Sequence, residues 1–335
     1  RNLPRAFDVM SDMLWRPRID QLDAERQVVL EEIAMYEDDP QDRVFDLLGE
    51  AVFGSHPLGR AVIGRAEVVA AASEQGLRSF HDDRYRPGEI VVSAAGSVEH
   101  ERLVELVGEL CPSGEDGADG LDARALEEPS FERRVRFLSK ATEQYHVCMG
   151  GGGLARGDER RFALRVLEGV LGSSSSSRLF QEVRERRGLA YSVFCFSNLH
   201  AHTGEVGIYV GTRPENLREA IATIAGELQR LVDGEGGGSI AQDELDRARE
   251  NVKGRMVLSL ESTAARMNRL GASLLAELPI LSVEEIIERL DAVTIEDLHE
   301  LTRELFAGER LSVAGVGTEQ GLFEESLQAL QAVAS

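Results

Sequence analysis

The two halves of this 335-residue chain end in similar segments. Residues 91–99 read VVSAAGSVE and residues 311–319 read LSVAGVGTE, and in each half the β-type run follows an amphipathic segment. Helices that cover one face of a mostly antiparallel sheet form an α+β domain. The repeat therefore predicts two duplicated α+β domains, and chance similarity between the two segments is the alternative.

A stretch of glycine, serine and acidic residues separates the halves. Residues 112–130 contain one Ser-Gly and two Asp-Gly steps, a composition typical of an exposed linker. We therefore predict an N-terminal domain over residues 1–111, a linker over residues 112–130 and a C-terminal domain over residues 131–335.

Runs of β-branched and aromatic residues mark the predicted strands, and apolar residues at helical spacing mark the predicted helices. The predicted strands cover residues 90–95, 145–149, 191–196, 205–211 and 311–314. Two of the predicted helices cover residues 3–14 and 19–36.

The balance of charge and the few cysteines exclude several classes of protein. Acidic residues outnumber basic ones by 59 to 37, and the net charge of −22 repels nucleic-acid phosphates, so we expect no nucleic-acid partner. No apolar run approaches the roughly 20 residues of a membrane span, so we expect no membrane partner. The three cysteines fit a reducing compartment, and we predict a cytoplasmic protein.

Two glutamates occupy unexpected positions in the second predicted helix. Glu25 and Glu32 lie seven residues apart, which is nearly two helical turns, so both project from one side of the helix. That side also carries the apolar residues Val29 and Ile33. A buried carboxylate is costly unless a metal ion or an arginine meets it. The pair therefore indicates a metal or charge site, or else two carboxylates at the rim of the apolar stripe that reach water or pair with residues such as Arg26.

Several motifs along the chain resemble a known peptidase family. They are ERQVVLEEI over residues 25–33, DP over 39–40, HPLGR over 56–60, SRLF over 177–180, Arg184, and RGLAY over 187–191. In this order they resemble the insulinase/pitrilysin family of zinc peptidases. The likeness is closer to the two-domain bacterial branch related to mitochondrial processing peptidase. The resemblance implies a clamshell peptidase fold built from two α+β domains.

The resemblance also implies roles for four residues of this sequence. Glu32 corresponds to the third zinc ligand of the family, and Glu25 to the supporting acid near the catalytic site. Arg184 and Tyr191 correspond to the arginine–tyrosine pair that binds the substrate backbone and helps to stabilise the tetrahedral intermediate. An arginine donor and a phenol directed at a developing oxyanion suit that role.

Arg184 and Tyr191 also have purely structural interpretations. Without the resemblance, Arg184 is a helical residue that forms ion pairs with Glu182 and Glu185. Tyr191 is then a core tyrosine at the start of a strand. The residues alone leave both interpretations open.

The family's inverted zinc motif, His-x-x-Glu-His, is absent from this sequence. The motif supplies two histidine ligands and a general-base glutamate, and none of the seven histidines stands in that arrangement. His200 and His202 are two residues apart, so in an extended segment both would project from the same face. Two histidines at this spacing are weak evidence for a metal site. With one expected ligand and no general base, we expect zinc only in the complete enzyme. We also expect this chain to be N-terminally incomplete and inactive by itself.

Together these features predict a subunit of a zinc-dependent metalloendopeptidase. In the complete enzyme, zinc-activated water would cleave unfolded or extended peptides inside a dimeric chamber. The partner would be an identical chain or a related subunit, which gives a homodimer or a heterodimer. The alternative is a non-catalytic partner or scaffold subunit of the same family.

Overall fold

The structure is a computed structural model, and it describes residues 2–111, 128–234 and 239–333. Internal contacts divide the chain into two compact units. The first unit comprises Arg1–Met35, Ile63–Glu127 and Ser259–Ile280, and the second comprises Tyr36–Val62, Glu128–Leu258 and Leu281–Ser335. Most of the predicted linker, residues 112–127, lies outside the described residues. The domain boundaries that follow from the linker therefore stay a prediction.

Helices make up most of the described chain. In chain order they are α1 (Leu3–Trp15), α2 (Leu22–Asp38), α3 (Pro40–Phe53), α4 (Ala66–Ala70), α5 (Glu74–Arg84), α6 (His100–Leu110), α7 (Arg161–Leu171), α8 (Leu217–Asp233), α9 (Gln242–Ser259), α10 (Thr263–Leu275), α11 (Val283–Asp291), α12 (Ile295–Phe306) and α13 (Gln320–Ser326). The two helices predicted over residues 3–14 and 19–36 are confirmed as α1 and α2. Within the described ranges, no helix combines the length and the apolar character that a membrane crossing requires.

The second unit contains a five-stranded sheet. Its strands are β1 (Val135–Ser139), β2 (Tyr145–Gly153), β3 (Ala190–Leu199), β4 (Gly204–Thr212) and β5 (Ser312–Gly317). They lie in the order β1-β5-β2-β4-β3, with β1 and β5 parallel and the other neighbours antiparallel. Helices packed around a mostly antiparallel sheet confirm the α+β class.

Apolar side chains cover the sheet on both faces. Successive residues of a strand point to opposite faces. Val147 and Met149 of β2 belong to the core that includes residues of α7, α8 and α12. Cys148, between them, belongs to a second cluster with Leu48 and Val52 of α3. Helix α3 therefore covers the face opposite the other helices, and β4 is buried along its whole length.

Polar side chains bound to helix-end carbonyls hold part of the first unit together. The hydroxyl of Ser11 in α1 donates to the carbonyl of Leu110 at the end of α6 at 2.7 Å. Nε2 of His81 in α5 lies 2.7 Å from the carbonyl oxygen of Leu14. These contacts hold α1 against α5 and α6.

Residues 90–95 do not form the predicted strand. The segment carries no regular secondary structure, and none of the residues that the structure describes pairs with it in a ladder. A strand is stabilised by hydrogen bonds to a neighbouring strand, so a β-type sequence alone is insufficient. All the strands of the described sheet lie in the second unit.

The other four predicted strands are confirmed as β2, β3, β4 and β5. Strand β1 is not predicted from the sequence, although it completes one edge of the sheet beside β5. All five of its residues are exposed or half-buried. Its sequence, VRFLS, is short and does not keep a strict alternation of apolar and polar residues, so it does not stand out as a strand.

Candidate functional site

The structure brings Arg184 and Tyr191 together. Arg184 lies in a π-helix, Phe180–Glu185, and Tyr191 lies near the start of β3. The guanidinium carbon of Arg184 stands 4.4 Å from the centroid of the Tyr191 ring, inside the roughly 6 Å range of a cation–π contact. The two residues that the resemblance pairs are therefore neighbours in space.

A π-helical turn carries Arg184. The N–H of Arg186 donates to the carbonyl of Gln181 at 2.9 Å, which is a hydrogen bond between residues five apart. Turns of this kind are rare in proteins and occur frequently at functional sites. Val183 is fully buried on the inner side of the turn, while Arg184 beside it stays partly exposed.

Gly188 turns the chain from the π-helix into β3. Its φ angle is 62°, in the left-handed region that glycine adopts without strain. The N–H of Gly188 donates to the carbonyl of Arg184 at 3.1 Å, and the N–H of Leu189 donates to the carbonyl of Val183 at 2.8 Å. These two bonds satisfy carbonyl groups at the end of the helix, as glycine caps generally do.

Tyr191 is the extra residue of a β-bulge. Ala190 pairs with Thr212 and Ser192 pairs with Gly211, which are consecutive residues of β4. Bulges bend a strand locally and redirect a side chain. The side chain of Tyr191 is 76% exposed, so its interpretation as a core tyrosine is wrong. The phenol is accessible from solvent.

The acidic neighbours of Arg184 do not bind it closely. Glu182 forms its short ion pair with Arg186 instead. Oε1 of Glu185 lies 3.7 Å from Nε of Arg184, which is too far for a hydrogen bond. A second ring, that of Phe180, lies 4.8 Å from the guanidinium carbon. Phe180 lies in the SRLF motif, but the sequence indicates no separate role for it, because an aromatic residue in a helix usually belongs to the core.

Glu25 and Glu32 lie on α2 with exposed side chains. No hydrogen bond or ion pair joins either carboxylate to another residue in the described ranges. Arg26 does not pair with them, because its guanidinium contacts Asp23. Among the residues of α2 only Ile33 is buried, so the carboxylates reach water as residues at the rim of an apolar stripe do. Their roles beside a zinc ion stay predictions.

The described residues alone do not fit a zinc centre. Among residues 2–111, 128–234 and 239–333, no three His, Cys, Asp or Glu side chains are grouped so that they could hold a metal ion. A catalytic zinc takes three protein ligands and a water molecule. His202 is exposed, and burial together with the charge of Arg156 lowers the pKa of His200. In the part of the chain that the structure describes, no third His, Cys, Asp or Glu side chain is placed to bind a metal ion together with these two histidines.

The second unit also contains a cavity of about 450 Å³ that the sequence does not indicate. Glu205 of β4 is only 7% exposed and lines the cavity together with Asp46 and His200. One carboxylate oxygen of Glu205 accepts a hydrogen bond from Nδ2 of Asn198 at 3.1 Å, and the other has no partner within the described residues. Burial raises the pKa of Glu205. The lining residues come from distant segments, so no local pattern reveals the cavity.

Comparisons with known proteins extend over both halves of the chain. Residues 1–66 match the family model of insulinase, peptidase family M16, and residues 71–252 match that of the peptidase M16 inactive domain. An uncharacterized zinc protease of Streptomyces coelicolor is 39% identical over 326 residues, which cover 94% of this chain and 69% of that protein. The uncharacterized zinc protease YmxG of Bacillus subtilis is 40% identical over 304 residues, which cover 90% of this chain and 72% of that protein.

A solved structure shows the same fold. The crystal structure of a protease from Helicobacter pylori matches with a TM-score of 0.81 and 21% identity, covering 94% of this chain and 76% of that chain. At this identity the likeness concerns the fold. The sequence relatives and the family models establish the family of this chain, and they agree with the motifs over residues 25–33 and 187–191. The chain belongs to the insulinase family of peptidases, peptidase family M16.

Proposed function

We propose that this chain is a subunit of a zinc metalloendopeptidase and that Arg184 and Tyr191 bind its peptide substrate. The observation that carries the proposal is the 4.4 Å contact between the Arg184 guanidinium and the exposed Tyr191 ring. The two relatives from Streptomyces coelicolor and Bacillus subtilis carry the name zinc protease, which supports an activity of the same kind.

The Arg184–Tyr191 pair offers hydrogen-bond donors to an extended peptide. A guanidinium carries five N–H donors in its plane, and a phenol carries one O–H donor. The nearby carboxylate of Glu185 lies 3.7 Å from Nε of Arg184, beyond hydrogen-bond distance, so these donors remain available for substrate carbonyl oxygens. As a carbonyl oxygen gains negative charge during peptide cleavage, donors already held in place stabilise it most strongly. Unfolded or extended peptides suit such a site because their backbone carbonyls are accessible.

Glu32 is the proposed contribution of this chain to zinc binding, with Glu25 as the supporting acid. When bound in the complete enzyme, zinc supplies an activated water and polarises the peptide carbonyl. A single carboxylate does not make a zinc centre, and the described residues group no three ligands. Because these 335 residues contain no His-x-x-Glu-His motif, the remaining ligands and the general base would come from residues that are not part of this sequence or from another chain.

The proposed setting is a dimeric chamber in the cytoplasm, formed with an identical chain or with a related subunit. A chamber admits extended peptides and excludes folded proteins, which agrees with a site that binds peptide backbone. The net charge of −22 supports a preference for basic peptide segments.

A second candidate function is that of a non-catalytic partner or scaffold subunit of the same family. The match of residues 71–252 to the inactive domain of family M16 favours it. The arrangement of Arg184 and Tyr191 argues against it, because a scaffold needs neither the π-helical turn nor the bulge that bring an arginine and an exposed phenol together.

Variants of the natural protein that contains this chain distinguish the two functions. With zinc and an unfolded fluorogenic peptide, we expect Arg184→Gln to lower kcat/KM by about 10- to 1,000-fold. Arg186→Gln is the matched control, because Arg186 lies on the same turn and pairs with Glu182. Undiminished turnover in Arg184→Gln would refute the substrate role. Peptide binding by the natural protein without any hydrolysis would support the partner subunit.

A further inference from the structure

We propose that Phe180 is a positioning residue that orients Arg184 toward the peptide. This inference rests on the proposed function, in which Arg184 binds substrate. The guanidinium carbon of Arg184 lies 4.8 Å from the centroid of the Phe180 ring and 4.4 Å from that of Tyr191. Both distances are within the range of a cation–π contact. One cation therefore contacts two rings, one from its own helix and the other from β3.

Of the two rings, that of Phe180 is held more firmly by its surroundings. Phe180 is partly buried, and Leu179 and Val183 on the same turn are fully buried in the core of the second unit. Tyr191 is largely exposed, so the core does not hold it in the same way. Support by buried neighbours is what keeps a binding residue in its geometry. Phe180 can therefore hold Arg184 in place when Tyr191 moves.

Arg184 needs such support because an arginine side chain has many rotamers. In the described ranges the carboxylate that lies near it is that of Glu185, whose Oε1 is 3.7 Å from Nε, beyond hydrogen-bond distance. A guanidinium that is already oriented loses less conformational entropy when a peptide binds. Phe180 is thus expected to raise the affinity for peptide through Arg184, without touching the peptide itself.

Two substitutions separate the ring of Phe180 from its apolar volume. Phe180→Leu removes the ring and keeps an apolar side chain, whereas Phe180→Tyr keeps the ring. Binding of a fluorescein-labelled, lysine-rich unfolded peptide to the full chain is measured by fluorescence anisotropy. We expect Phe180→Leu to raise the Kd by about 2- to 5-fold and Phe180→Tyr to restore it. In an Arg184→Gln background, Phe180→Leu is expected to have no further effect.

Nuclear magnetic resonance supplies a readout that does not depend on peptide binding. The Nε–Hε signal of Arg184 is assigned by its loss in Arg184→Gln. Phe180→Leu is expected to move this signal, because the ring current is removed, and Phe180→Tyr to leave it in place. Phe162→Leu is the matched control, since Phe162 carries the guanidinium of Arg161 at 4.4 Å elsewhere in the second unit. It is expected to change neither the Arg184 signal nor the affinity.

The possible outcomes distinguish this inference from the proposed function. An unchanged Arg184 signal in Phe180→Leu would overturn the inference. A loss of affinity that persists undiminished in the Arg184→Gln background would also overturn it, because Phe180 would then act without Arg184. If Arg184→Gln binds the peptide as tightly as the wild type, the proposed function fails. The signal of Arg184 then decides by itself whether Phe180 orients this side chain.

Discussion

The ring of Tyr191 meets the guanidinium of Arg184 at 4.4 Å although the two residues lie on different elements. The contact depends on backbone geometry: a left-handed glycine turns the chain, and a bulge directs the phenol outward. The glycine lies outside the pair, and the bulge is a property of the backbone at Tyr191 and not of its side chain. Changes in the surrounding backbone are therefore expected to affect the pair as much as changes in its side chains.

Substitutions of Tyr191 separate the contribution of its hydroxyl from that of its ring. Tyr191→Phe keeps the ring over Arg184 and removes one donor, so kcat should fall by about 10- to 1,000-fold with KM nearly unchanged. Tyr191→Leu removes the ring as well and should also raise KM. Steady-state kinetics of the natural protein with an unfolded peptide measures both effects. Because the side chain is exposed, the free energy of unfolding of both variants should lie within about 0.5 kcal/mol of the wild-type value. A larger loss of stability would contradict the exposed position.

Replacement by alanine should change the free energy of unfolding in opposite directions at two glycines, although both have open space where a Cβ would lie. Gly188 has a φ of 62°, so Gly188→Ala should lower the free energy of unfolding by about 1 kcal/mol through backbone strain alone. Gly226 lies inside α8, where alanine favours the helix, so Gly226→Ala should raise it by about 0.5–1 kcal/mol. Urea unfolding of the full chain measures both. Stabilisation by Gly188→Ala would show that the left-handed turn is not required.

Glu205 should make the stability of the second unit depend on pH. Burial raises its pKa in the folded protein, so the unfolded chain loses this proton at lower pH than the folded chain does. As the pH rises above the ordinary glutamate pKa, the contribution of Glu205 to the free energy of unfolding therefore falls, until the folded carboxyl ionises as well. The stability of Glu205→Gln relative to the wild type should increase over the same range. Chemical unfolding at several pH values measures the difference between Glu205→Gln and the wild type, and a difference that does not change with pH would contradict the prediction.

Zinc should bind weakly to the isolated chain, because the described residues offer no group of three ligands. Isothermal titration calorimetry should detect no tight one-to-one site, and a chelator should leave the unfolding temperature unchanged. Glu32→Gln and its neighbour Glu31→Gln should behave alike in both measurements. Tight zinc binding that disappears in Glu32→Gln alone would contradict this prediction and would reveal a complete site within the chain.

Local sequence was sufficient for most of the sheet, whereas the Arg184–Tyr191 pair followed only from the family resemblance. Strands β2 to β5 follow from runs of β-branched and aromatic residues, a composition that suits a pleated surface that is at least partly buried. Arg184 and Tyr191 were singled out by a motif around residues 177–191, and the structure places them in contact. The assignment of catalytic roles to them remains a proposal.

Features that depend on tertiary packing could not be predicted in the same way. The segment over residues 90–95 has the composition of a strand but no partner within the described ranges, and pairing is not encoded in one segment. Glu25 and Glu32 share a helix face with apolar residues, but helical spacing does not tell which part of that face is covered. The cavity at Glu205 likewise depends on residues far apart in sequence.

Helix α3 is synthesised long before the sheet that it covers. The carbonyl of Ala51 accepts a hydrogen bond from Ser312 at 3.3 Å, and the two residues are 261 positions apart. Strand β5, which begins at Ser312, lies between β1 and β2. A nascent chain that ends before β5 therefore cannot join β1 to the rest of the sheet. Until then the apolar side of α3 lacks the part of its cover that Ala314 and Val316 of β5 provide, a condition that favours aggregation and dependence on chaperones.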